Sequence, residues 1–146
     1  MNRILLLSAI LLVISACVAE NKKSNSLADS SALAERVRPG SKGGTTAAYF
    51  IHSNNLDTPD TLLSVKSDIA GMTQVHESFE SEDGMMGMRQ KKEVIVQEGG
   101  RLVFKQGGLH IMLMNLNKDL AEGDSVEIEL IFAQRGSIIK TLPVRQ

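Results

Sequence analysis

From Ala47 onward the chain runs in short stretches whose apolar residues fall at every second position. That period places successive side chains on opposite faces of an extended strand, and a helix cannot satisfy it. The stretches are 47–53, 61–67, 73–79, 93–97, 101–105, 110–116, 125–132 and 138–144. The breaks between them, such as SEDGMMG, EGG, QGG, NKDLAEGD and QRG, carry turn residues. Val126, Ile128, Leu130 and Phe132 alternate with Ser125, Glu127, Glu129 and Ile131, which describes a strand with one buried face. Eight short strands at this spacing predict an all-β antiparallel sandwich or barrel. Residues 116–123 have room for one helical turn. No internal repeat interrupts the pattern.

The first residues follow a different logic. Met1-Asn2-Arg3 is a short positive start, and 4–14 is an apolar run, ILLLSAILLVI. The run is shorter than the roughly 20 residues a bilayer span needs and has the length of a signal-peptide core. Ile14-Ser15-Ala16-Cys17 resembles a bacterial lipobox. In such precursors cleavage precedes the Cys, which becomes the lipidated N-terminus, here Cys17. An ordinary signal peptide cut near Ala16 or Ala19 is the alternative. Several acyl chains, at about 0.8 kcal/mol per buried CH₂, give stable anchoring. The expected organisation is a signal peptide over 1–16, a lipidated Cys17 with a polar tether over 17–45, and a β domain over 46–146. A thin apolar stripe over 27–37 fits one short helix within the tether. Val18 after the Cys gives no inner-membrane retention signal, so an outer-membrane anchor in the cell envelope is expected.

Composition narrows the function classes. The 146 residues include 16 Lys and Arg against 17 Asp and Glu, a net charge of −1. That balance argues against nucleic-acid binding, which usually leaves a basic footprint. Aromatics are 3% of the chain, too few for a base-stacking or sugar platform. The single Cys excludes an internal disulfide framework, a CxxC redox site and a Cys-rich zinc site. With Cys17 committed to the lipid, blue-copper electron transfer and Cys nucleophiles are excluded too. No Ser-His-Asp order, HExxH or paired-carboxylate pattern is convincing, so the protein is expected not to be an enzyme.

The chemistry lies in Met and His. Met85, Met86 and Met88 occupy an acid-flanked, Gly-containing turn, a poor core and an oxidation risk. His110 and Met112, two apart on a strand, project to one face about 7 Å apart. His76 lies on an earlier strand. Imidazole with thioether is a soft donor set, suited to Cu(I) and poor for Zn²⁺, Mg²⁺ or Ca²⁺. Met72 and Met114 are read as core filler, and His52 as a satisfied core or surface residue.

These residues carry a family resemblance. The chain resembles the periplasmic PCuAC copper chaperones, whose signature is His or Met, ten residues, Met, twenty-one residues, then His-x-Met. Here Met88 is followed by twenty-one residues and then His110-Ile111-Met112. Ala48-Tyr49-Phe50-Ile51 with Asn54, Asp60-Thr61-Leu62, Val75-His76-Glu77, the Asp83–Arg89 turn, Gly107-Gly108-Leu109 and Gly123-Asp124 also match. The similarity covers about residues 45–144. One departure stands out: eleven residues, not ten, separate His76 from Met88. Either the turn carries an extra residue, which a loop absorbs cheaply, or Met86 replaces Met88 as ligand.

The resemblance implies a cupredoxin-like Greek-key β-sandwich with a Cu(I) site of His76, Met88, His110 and Met112. It also implies copper transfer, with a copper-receiving protein such as cytochrome c oxidase or a Sco-like assembly factor as partner. Glu77 is a candidate to orient His76. A monomer is expected. A copper-buffering or resistance lipoprotein, and a metal-free structural relative, are the competing readings.

Overall fold

The structure is a computed structural model that describes residues 34–146. The expected signal peptide, Cys17 and the first part of the tether lie outside the described residues. Ten strands form, in chain order: β1 Arg36–Val37, β2 Thr45–Ser53, β3 Asp60–Lys66, β4 Ala70–Glu80, β5 Met86–Gln90, β6 Val94–Val96, β7 Arg101–Phe104, β8 Leu109–Leu116, β9 Ser125–Phe132 and β10 Gly136–Pro143. No helix forms among the described residues; Leu116 ends β8, and 117–123 is built of bends, turns and one bridge.

The strands make two antiparallel sheets. The first has the order β1-β2-β8-β4-β5, with β7 also paired to β2; the second has the order β10-β9-β3-β6. The chain changes sheet after β2, β3, β5, β6 and β8, an interleaved connection of the Greek-key type. The inward faces meet in one core. Ile111 and Leu113 of β8, Phe50 of β2, Val126, Ile128 and Leu130 of β9 and Phe104 of β7 are all nearly or fully buried. Phe50 and Phe104 stack with centroids 4.7 Å apart.

Two departures from the sequence expectation concern boundaries. Arg36 and Val37 form a strand rather than the end of a tether helix, paired with Tyr49 and Ala48. Val37 is fully buried, and it bridges Val144 at the other end of the domain. The β domain therefore begins near residue 35, not 46. The second is β5, expected as part of a loop, which pairs with β4 from Glu80↔Met86 to His76↔Gln90.

Two buried polar residues hold the loops at one end of the sandwich. Asn54 donates through Nδ2 to the Thr58 and Gln97 carbonyls and accepts from the Leu56 N–H. Asp60 accepts from the backbone N–H groups of Thr61, Gln134 and Arg135. Burial pushes the Asp60 pKa up, but these donors and the Arg135 charge outweigh it and hold the carboxyl below its ordinary value. His52 is buried with its ring 4.6 Å from that of Phe132, the core reading expected for it.

Candidate metal centre

The outer face of the first sheet carries the chemistry. On β8, Ile111 and Leu113 point into the core, so His110, Met112 and Met114 point away from it. On β4, Val75 points inward, so Met72, Gln74, His76 and Ser78 share the outer face. The β4–β8 register makes His76 and His110 direct cross-strand partners, with Gln74 opposite Met112 and Met72 opposite Met114. On β5, Met88 lies opposite Ser78, diagonal to His76 and on the same face.

One contact joins His110 to Met88 across β4. Their Nε2 and Sδ atoms are 3.1 Å apart. The other ring nitrogen, Nδ1, donates to the Gly108 carbonyl at 2.9 Å. A carbonyl only accepts, so Nδ1 carries the proton, and the neutral ring keeps its lone pair on Nε2. In the neutral ring, a nitrogen lone pair and a thioether lone pair then face one another. A cation placed there satisfies both.

The hairpin between β7 and β8 sets this tautomer. Gly107 has φ +76°, a conformation that favours glycine, and the following Gly108 turns its carbonyl toward His110. The same carbonyl accepts from the Ser78 N–H at 3.1 Å, which ties the hairpin to β4.

His76 stands beside this pair, with ring centroids 6.1 Å apart. Its Nε2 donates to Gln74 Oε1 at 3.0 Å, leaving the lone pair of the neutral ring on Nδ1. Burial, and then the neighbouring His110, lower its pKa, so the neutral form is favoured. Met112 joins Met88 and His110 in lining an open depression of about 370 Å³, with Arg38, Tyr49 and Gln106 on its rim. His110 is 5% exposed and Met88 56%. The nitrogen is thus sheltered, while the sulfur sits at the surface.

Met86 is placed differently. It is 67% exposed and lies opposite Glu80, one outward position beyond Met88. The eleven-residue spacing is taken up by the turn from Ser81 to Met85, closed by the Ser81 N–H donating to the Met85 carbonyl at 2.8 Å.

The structure overturns two expectations. Glu77 does not touch His76: its carboxylate accepts from Arg89 Nε and Nη2, its cross-strand partner on β5, at 3.0 and 2.7 Å. The Arg89 hydrogen bond holds its pKa below the ordinary value, although its own desolvation opposes this. Met72 and Met114 are not core filler: both lie on the outer face, and Met72 is 52% exposed. Gln74 was missed in the sequence, although its place two residues before His76 puts it on the same face.

Residues 28–144 match the family described as lipoprotein LpqE-like. The chain belongs to the LpqE-like family. No curated protein matches it by sequence. Among solved structures, it is similar to the copper-bound PCuAC domain of PmoF2, at 22% identity and TM-score 0.60, over 75% of this chain and 86% of that one. The PCuAC domain of PmoF1, solved without metal, gives 22% and 0.60, over 75% and 88%. The Cu(I) form of DR1885 from Deinococcus radiodurans gives 25% and 0.59, over 77% and 75%. The LpqE-like chain therefore has the PCuAC fold, a cupredoxin-like β-sandwich.

Proposed function

We propose that this LpqE-like protein is an envelope Cu(I) metallochaperone that takes up the ion on the outer face of its first sheet and hands it to an acceptor. The observation that carries the reading is the 3.1 Å approach of His110 Nε2 to Met88 Sδ, with Nδ1 already engaged by Gly108. His76 and Met112 complete the donor set from the neighbouring positions. Met88 is preferred to Met86 because it meets His110. The copper-bound state of PmoF2 and the Cu(I) form of DR1885 support this choice of cargo.

Two neutral imidazoles and two thioethers suit a soft monovalent ion. The thioethers carry no proton and form no disulfide. Met88 lies at the surface, so an incoming donor can replace it while His110 still holds the ion, and the metal is never bare. Anchoring through Cys17 would keep the domain on the membrane, within reach of an acceptor such as cytochrome c oxidase or a Sco-like assembly factor.

The test is genetic. Deletion of the gene in its host should lower oxidase activity at limiting copper. Wild type should restore it, and His110→Ala should not. Heightened copper sensitivity with unchanged oxidase activity would instead show a buffer.

A further inference from the structure

All six methionines among the described residues, 72, 85, 86, 88, 112 and 114, lie on β4, β5, β8 or the β4–β5 turn. None belongs to the buried core. Methionine is ordinarily a gap-filler of cores, and an exposed thioether is open to oxidation. Four of the seven large apolar side chains that stand exposed are these methionines: Met72, Met85, Met86 and Met88. The proposed Cu(I) site uses Met88 and Met112, and Met86 adjoins it. It leaves Met72 and Met114 without a role.

Their positions are specific. Down the outer face of β4 and β8 run three rungs: His76 with His110, Gln74 with Met112, and Met72 with Met114. Successive rungs are about 7 Å apart. Directly opposed residues have Cβ atoms about 5 Å apart, and the diagonal from Met72 to Met112 is about 7–8 Å. Three rotatable bonds let each thioether reach toward a common point. The flanking residues on β2, Thr45 opposite Met114 and Ala47 opposite Met112, are uncharged and small. The rung therefore offers neutral sulfur and no carboxylate, a donor set that selects soft d¹⁰ monovalent ions over hard divalent ones.

We infer that Met72 and Met114, with Met112 reaching from the next rung, form a second thioether site for Cu(I) or Ag(I). It lacks the sheltered imidazole of the His110 site. Met112 faces both, so an ion can step between them by exchanging one thioether at a time. That staging role rests on the Cu(I) reading of the main site; binding at the Met72–Met114 rung does not.

The test is a titration of the full-length protein, labelled with ¹³C at its methionine methyl groups, with Ag(I), a redox-inert probe. Met72→Leu and Met114→Leu assign two of the resonances and, as volume-conserving swaps, leave the fold intact. The first equivalent should shift Met88 and Met112, and the second Met72 and Met114. In His110→Ala the Met72 and Met114 response should persist, and in the Met72→Leu/Met114→Leu double variant the capacity should fall by one equivalent. The inference is overturned if Met72 and Met114 stay unmoved through three equivalents, or if their response disappears in His110→Ala. If Met72, Met114 and Met112 shift while Met88 does not, the second site stands and the main-site reading fails.

Discussion

The residue that decides the chemistry is His110, because its backbone contact settles which nitrogen is free. The sequence showed His110, Met112 and Met88 through their spacing. It could not show that Gly108 would take the Nδ1 proton, because that bond depends on how the β7–β8 hairpin turns. Exposure was also illegible: Met72 and Met114 read as core because nothing in the one-dimensional pattern says which face of β4 and β8 meets the other sheet. Asp60 is the other residue with a measurable consequence. Its folded-state pKa is lowered, so its ionised form stabilises the fold above the ordinary Asp range, about 3.9. That stabilisation is lost as pH falls through the lowered value. Asp60→Asn leaves at least one buried N–H poorly paired and should cost about 1–3 kcal/mol at pH 7. The gap from wild type should narrow on acidification below about pH 4. Urea unfolding at pH 7 and pH 3 checks both parts; a pH-independent gap would contradict the assignment.

At the scale of the element, β5 delivers Met88. Met86-Gly87-Met88-Arg89-Gln90 has no β-branched or aromatic residue, so strand propensity does not announce it. Partners on β4 hold it. Glu77 binds Arg89 with two hydrogen bonds, and the Phe79 ring covers Gly87. A Cβ built on Gly87 would lie 2.6 Å from Phe79 Cζ, so only glycine leaves the ring in place. Gly87→Ala should force the ring aside, destabilise the domain by about 1 kcal/mol and weaken Cu(I) binding through displacement of Met88. Paired unfolding and Cu(I) affinity measurements test this, and an unchanged affinity would mean that β5 does not position the ligand. Glu77→Gln should weaken Cu(I) binding less than Gly87→Ala and leave the imidazole signals of His76 in place, since it touches β5 and not His76.

At the scale of the molecule, both sheets are needed to present one face. Eight of the nine strands from β2 onward were legible from their alternating apolar residues and the turn residues between them, and Ser125–Phe132 falls on its expected bounds. The start of the domain was not legible. The two-residue strand Arg36–Val37 sits among polar residues and is too short to show an alternating pattern. Since Val37 is fully buried and touches both ends of the domain, Val37→Ala should lower stability by about 1–3 kcal/mol, read from the urea midpoint. A substitution in a true tether would cost nothing. The proposed function stands or falls with the Cu(I) site. The most direct test is a competition titration of the full-length protein against a coloured Cu(I) chelator under reducing conditions, with His110→Ala, Met88→Ala and Met86→Ala alongside. Wild type should hold Cu(I) tightly, and His110→Ala and Met88→Ala should lose more than about a hundredfold in affinity, beyond what loss of a supporting partner costs. Met86→Ala should stay near wild type. Loss in Met86→Ala with Met88→Ala intact would move the ligand to Met86, and a wild-type protein that takes no copper would contradict the account.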